Sequence, residues 1–386
     1  MTQEYFLKHK DHPVLLFELN MEKYVPVEIK KLFDKERLPF ILDNDTDINL
    51  FLGLLTLWIQ NRGITESRDD YEKLMEENHS SNGRELSINS LGLNLTDHYW
   101  MHNSNQNLSW KKLNFFDHKF KKKIQERIYP SGEKVPVVLH PDFNIDGCVI
   151  KTWVTDGKDR VLLKEGRING IGQEPYNEVI ATKIMDLLGI SNVGYSLRNL
   201  ENKVVCACKC MVDRNTELYY AKNILEINQN PHENYYFKYR DFCKNKGLID
   251  IQKSLDEMVV IDFIMGNFDR HSRNFGIIRD AETLKWIKTA PIYDCGNSLF
   301  FMQKPYNKLE LNIDSYCKWT KSNNGDLLQN IKTFEWYNET ALKKIPDIIY
   351  NGLKDINWLK MDENRLSIIT DIANLRVKKL IHIFNR

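Results

Sequence analysis

The sequence predicts an α+β fold in which a β-rich lobe is followed by a helical lobe, with a separate unit ahead of both. Two patterns predict the lobes: short apolar runs bounded by turn residues cluster between about 131 and 212, whereas 213–386 is dominated by helical spacing. The punctuation Pro130-Ser131-Gly132 separates both from a first segment rich in Leu, Trp and charge. The boundaries expected are therefore 1–130 for an accessory unit, 131–212 for the β-rich lobe and 213–386 for the helical lobe.

In the first segment, helices are expected at Val27–Phe33, Ile48–Asn61 and Asp69–Glu77. The acidic run Asp43–Asp47 resembles the start of an EF-hand, but Ile48 and Leu54 stand where that loop needs Gly and Glu, so it reads as a helix cap. The aromatic-dense stretch from Leu93 to Phe120 reads as a packing surface. The second segment has strand patterns at Val135–Leu139, Val149–Val154, Val161–Lys164, Val193–Leu197 and Lys203–Met211. A helix is expected at Asn177–Leu188, closed by Gly189. In the third segment Ile251–Met265 reads as an amphipathic helix with Leu255, Met258, Val259, Phe263 and Ile264 inward, and more helices are expected from Leu327 to Phe384.

Bulk properties narrow the function classes. At 386 residues, 42% hydrophobic and 28% charged, the chain is long enough for two or three domains with a buried core. Lys+Arg 54 against Asp+Glu 53 leaves +1, which gives no electrostatic reason to expect direct nucleic-acid binding. Met1–Lys10 is charged where a secretory signal needs an apolar run, and Leu50–Ile59 is about half the roughly 20 residues of a membrane span. A cytoplasmic protein with no membrane segment is expected. Seven cysteines argue against a disulfide framework; Cys206, Cys208 and Cys210 share one face of a strand but lack partners at zinc spacing.

The chemistry concentrates in GNFDRHSRNFG, Gly266–Gly276, and in Tyr293-Asp294-Cys295-Gly296. Asp269 precedes Asn274 by five residues, and Asp294 stands two before a glycine. A carboxylate to take a hydroxyl proton, with an amide and a second carboxylate to hold Mg²⁺, is the minimum set for moving the γ-phosphate of ATP. His271 is expected to structure the loop, and Arg270 or Arg273 to contact phosphate or an acidic partner. Lys164 ends an apolar strand and can reach phosphates as a point charge. Glu178 on the next helix can pair with it; Glu174 is the rival, but Pro175 makes Glu178 the better-seated helical residue. Asn144-Ile145-Asp146-Gly147, between two strands, is the candidate phosphate loop, although with one glycine it also fits a plain hairpin turn. P-loop, Rossmann, zincin and Gly-x-Ser-x-Gly patterns are absent.

The runs QEPYNEVIATKIMDLLGI, MGNFDRHSRNFG and APIYDCGNSLF together resemble the HipA-like serine/threonine kinases, over roughly residues 140–300. The resemblance implies a two-lobed protein-kinase-like fold and the cofactors ATP and Mg²⁺. It places Lys164 on the phosphates, Asp269 as catalytic acid-base, Asn274 and Asp294 on the metal, and the strand at Cys208–Met211, with Cys208 and Cys210, at the adenine hinge. The acceptor it implies is a serine or threonine hydroxyl of a protein, the chain itself included. Alternatives are a phosphotransferase for a small molecule or lipid, or a nucleotide-binding module with an antitoxin-like partner. Asn144–Gly147 lacks the serine that many toxin members autophosphorylate there. The first 130 residues do not match the usual N-terminal domain of the toxins, so a free-standing kinase is expected.

Overall fold

Alternation of buried and open positions starts at the third residue. In β1 (Thr2–His9) Tyr5, Leu7 and His9 face inward, and β2 (His12–Asn20) buries Leu15, Phe17 and Leu19 the same way. Asn20 accepts hydrogen bonds from the backbone N–H groups of Glu22 and Lys23, turning the chain into β3 (Val25–Leu32). The helix expected at Val27–Phe33 is thus a strand. Its residues pair with β2 from Leu15↔Leu32 to Asn20↔Val25, and this pairing overrides a weak helical period. The model is computed and describes residues 1–39, 42, 47–120, 123–128, 134–145, 147–167, 172–200, 203–225, 234–302, 314–356 and 361–385.

The chain divides into two compact units, Met1–Leu162 with Val212–Leu218 and Asp280–Lys285, and Leu163–Met211 with Tyr219–Arg279 and Trp286–Arg386. In the first, α1 (Ile48–Arg62) is capped by Asp47, whose side chain accepts from Asn49 and Leu50. Its Leu55, Trp58 and Ile59 pack on the sheet core of Tyr5, Leu7, Phe17 and Tyr99. Then come α2 (Tyr71–Glu77), α3 (Gly83–Asn89) and β4 (Tyr99–Asn103), giving an antiparallel sheet of order β3-β2-β1-β4. After the short α4 (Trp110–Leu113), β5 (Lys123–Ile128) and β6 (Lys134–Leu139) form a hairpin, and β7 (Lys151–Asp156) leads to β8 (Asp159–Lys164), whose last two residues belong to the second unit.

The second unit opens with α5 (Glu174–Leu188), stopped by Gly189 at φ 70°. A hairpin of β9 (Ser196–Leu200) and β10 (Lys203–Lys209) follows. Beyond β11 (Thr216–Tyr220), which the division crosses, lie α6 (Ala221–Leu225), α7 (Tyr235–Asn245) and α8 (Ile251–Met265). The helix α8 has the expected bounds but is not amphipathic: Leu255–Met265 is buried throughout, including Asp256, Glu257 and Asp262. Two of these acids are saturated. Asp256 accepts from the backbone N–H groups of Lys332 and Thr333, and Asp262 from Arg270 and Asn267. The strands β12 (Gly276–Asp280) and β13 (Trp286–Thr289) pair, as do β14 (Tyr316–Cys317) and β15 (Ser322–Asn323). Helices α9 (Asn324–Leu327), α10 (Glu339–Leu342), α11 (Ile345–Leu353) and α12 (Glu363–Phe384) complete the unit, with α11 against α5 and α12 against α8.

Candidate active site

The site is built from the ends of three elements of the second unit. Lys164 closes β8, Glu178 lies in the second turn of α5, and Asp294 follows Ile292, which bridges to Asn192 in parallel register. The Lys164 ammonium lies 2.5 Å from Glu178 Oε1 and 2.6 Å from Asp294 Oδ1, so one cation joins two carboxylates. Burial opposes its charge, but Asp294 and Glu178 outweigh that and hold the Lys164 proton well above the usual lysine range. The other Glu178 oxygen accepts from the backbone N–H of Cys295 at 2.8 Å, locking its orientation. Glu174 is not the partner: its Oε1 accepts from the Arg167 backbone N–H at 3.2 Å.

Asp294 sits at φ 59°, a left-handed conformation that a non-glycine residue adopts only when its surroundings hold it there. Asn177 does much of this holding, donating to the carbonyls of Gly296 and Ser298, both at 2.8 Å. A Cβ on Gly296 would meet Glu174 O and Glu178 Oε1 at 3.3 Å, a tight contact.

The second half of the site is the loop after α8. Gly266, at φ 61°, ends the helix, and a Cβ there would collide with the Arg376 guanidinium. Asn267 then accepts from the Asp269 backbone N–H at 3.0 Å. Arg270 is fully buried, reaching Asp262 through Nε at 2.9 Å and Nη2 at 2.8 Å. The same guanidinium donates to Asn274 O at 2.9 Å, to Tyr293 O at 2.6 Å and to Cys295 Sγ at 3.2 Å. Arg270 therefore ties Asp269–Asn274 to the segment carrying Asp294. Its acidic partner is internal, and the phosphate contact allowed for it in the sequence is ruled out by burial. His271 shapes the loop: its carbonyl accepts from Asn274 N at 2.8 Å and its Nδ1 from Arg273 N at 3.2 Å.

Asn274 Nδ2 donates to Asp269 O at 3.2 Å, which ties its amide to the loop backbone. A hard-oxygen pair of this kind, one amide and one carboxylate, suits Mg²⁺, which takes one or two protein oxygens and completes its shell with phosphate and water. Among the described residues no group of three or more His, Cys, Asp or Glu is placed to hold a metal ion by itself. Asp269 is approached on both oxygens, by Asn297 Nδ2 on Oδ2 and by Lys318 Nζ on Oδ1.

Five other candidate residues remain: Asn144, Asp146, Gly147, Cys208 and Cys210. Asn144, in the first unit, ends a 3₁₀ turn over Pro141–Asn144; its side chain donates to Leu93 O at 2.7 Å and accepts from Ser90 at 3.1 Å. It serves as a buried brace there. Gly147, in the same unit, has φ 111°, and Asp146 lies outside the described residues. Cys208 is buried on β10, where burial pushes its thiol up to about 12, and Cys210 follows the strand's end, half-buried. None of the seven cysteines is in a disulfide.

Sequence reasoning missed Asp262, Asn177, Asn297 and Lys318. Asn177 and Asn297 lie inside the recognised runs, beside Glu178 and Gly296, and adjacency alone marks them. Asp262 lies in a run whose apolar spacing hides it, and nothing in the sequence ties Lys318 to Asp269.

No family model matches the chain. The serine/threonine-protein kinase CtkA of Helicobacter pylori is 28% identical over 251 residues, spanning 53% of this chain and 74% of that protein. The crystal structure of CtkA aligns at TM-score 0.46 with 20% identity over 59% of this chain and 90% of that one. HipA of Shewanella oneidensis, solved with HipB and operator DNA, aligns at TM-score 0.55 with 11% identity, covering 98% of this chain and 97% of HipA. The likeness of fold to HipA thus takes in the first 130 residues, where the sequence alone showed no match to the toxins' N-terminal domain.

Proposed function

We propose that this HipA-like kinase transfers the γ-phosphate of Mg-ATP to serine or threonine hydroxyls of proteins, its own among them. The observation that carries the reading is the geometry around Lys164, one ammonium held at 2.5 and 2.6 Å by Glu178 and Asp294. Two carboxylates thus flank one ammonium, with Asp294 on the more open side, a setting for a divalent cation. In this reading Lys164 binds the α- and β-phosphates and Glu178 fixes its direction. Asn274 and Asp294 hold Mg²⁺, which when bound neutralises the charge of the β- and γ-phosphates. Asp269 orients the acceptor hydroxyl for in-line attack and takes its proton. Asn297 keeps the carboxylate aimed, because an error of about 1 Å there costs about 10²-fold in rate.

Calorimetry with ATP, with and without Mg²⁺, tests the nucleotide. Metal-dependent binding is expected, and absence of any binding would make the chain a module without phosphotransfer. Label from γ-³²P-ATP is expected on protein serine or threonine; label found only on a lipid or small molecule would overturn the acceptor. An antitoxin-like protein partner belongs to the same proposal, supported by the likeness to HipA across 98% of the chain. Native mass spectrometry of the chain isolated from its own cells tests it, and a bare monomer counts against it.

A further inference from the structure

Lys318 reaches Asp269 from outside both recognised motifs, and its position is built. The hairpin β14–β15 pairs Tyr316↔Asn323 and Cys317↔Ser322, leaving Lys318 at the start of the turn. Cys317 and Trp319 on either side are buried. Trp319 N donates to Arg270 O at 3.1 Å, so the residue after Lys318 is pinned to the residue after Asp269. Its indole packs on Phe275 with ring centroids 4.8 Å apart, and on Tyr236 at 5.9 Å. Behind the hairpin, Asn324 Nδ2 donates to Asn267 O at 2.8 Å. The backbone carrying Lys318 is thus fixed to the loop carrying Asp269 at three places. The Lys318 side chain itself is 49% exposed and free to change partner, whereas Arg270 is wholly buried and committed to Asp262.

We infer that Lys318 is a catalytic cation that contacts the transferred phosphoryl group. This rests on the phosphotransfer reading above and extends it. An ionised Asp269 must stand beside a hydroxyl attacking an anionic phosphate, and its charge repels the oxygens that become more negative in the transition state. A cation already paired with the carboxylate relieves that repulsion, and it can bridge to a phosphoryl oxygen as the new O–P bond forms and the bond to the ADP oxygen breaks. The hydroxyl proton passes to Asp269, ADP leaves as the anion, and Lys318 keeps its proton throughout. Within Asp269–Asn274 the Arg270 guanidinium is spent on Asp262, so the hairpin brings a separate cation to the Asp269 carboxylate.

The test uses the whole chain as wild type, K318M, K318A, K318R and D269A. It follows loss of the γ-phosphate from Mg-ATP whatever the acceptor, with ADP affinity measured by calorimetry. K318M and K318A should lower kcat by about 10²–10³-fold and K318R should recover at least about tenfold of that, with ADP affinity and the unfolding midpoint unchanged. Retention of kcat within about threefold in K318M, or an equal loss of ADP affinity, overturns the inference. An inactive D269A beside an active K318M sinks the Lys318 role alone; an active D269A sinks the reading of the site beneath it.

Discussion

Asp262 meets Arg270 in the interior, where neither side chain is more than 2% exposed, whereas Asp269 meets Lys318 with 17% and 49% of the side chains open. The first pair is saturated: Arg270 also serves three backbone or sulfur acceptors, and Asp262 also takes the Asn267 amide. The second is held by one ammonium and one amide, both able to move. Placing charge where every lone pair is used makes a scaffold; placing it at an open edge leaves it available to a substrate. Lys164 lies between these extremes, 8% exposed, with a buried partner in Glu178 and a more open one in Asp294.

The contrast is most directly broken by stability measurements. R270M should cost about 3–5 kcal/mol in urea unfolding because it strands a buried Asp262 carboxylate. D269N should change stability by no more than about 1 kcal/mol, as exposed pairs do. Equal costs for the two would erase the distinction. For the intermediate case, E178Q should leave the chain folded but lower phosphoryl transfer about 10²-fold, since Lys164 loses its fixed direction. A rate unchanged in E178Q would mean that Asp294 alone positions the ammonium.

A pH-dependent effect concerns the third acid of α8. Burial raises the Glu257 carboxyl to about 7, outweighing the opposing pull of Lys253 at 3.8 Å. A folded-state value above the unfolded one means the native protein binds the proton more tightly. Stability from this group is therefore full below about pH 4.5 and is lost as pH rises through about 7. Wild type should lose on the order of 3 kcal/mol relative to E257Q across that window. Parallel pH–stability curves for the two proteins would show that Glu257 is not the origin.

How much of this was legible depended on whether the signal was local. The bounds of α8 and the Gly189 stop of α5 follow from spacing and a left-handed cap, both readable within one element. The Asp269, Asn274 and Asp294 set was visible because two short motifs carry it. The four-stranded sheet of the first unit was not, because Val27–Phe33 becomes a strand through its pairing with β2. Lys318 was equally hidden: 49 residues from Asp269 in sequence, it arrives through a hairpin whose anchors, Trp319 and Asn324, look like ordinary core residues. The turn at Asn144 carried no sign of its local role, in which the side chain bonds Ser90 and Leu93.

The central claim is that Asp269 works on the acceptor while the Lys164 cluster holds the nucleotide. Transfer of radiolabelled γ-phosphate by D269A, beside calorimetry of the same variant with Mg-ATP, addresses it directly. Transfer should fall by at least about 10³-fold with nucleotide affinity within a few-fold of wild type. A D269A protein that transfers phosphate at the wild-type rate would contradict it.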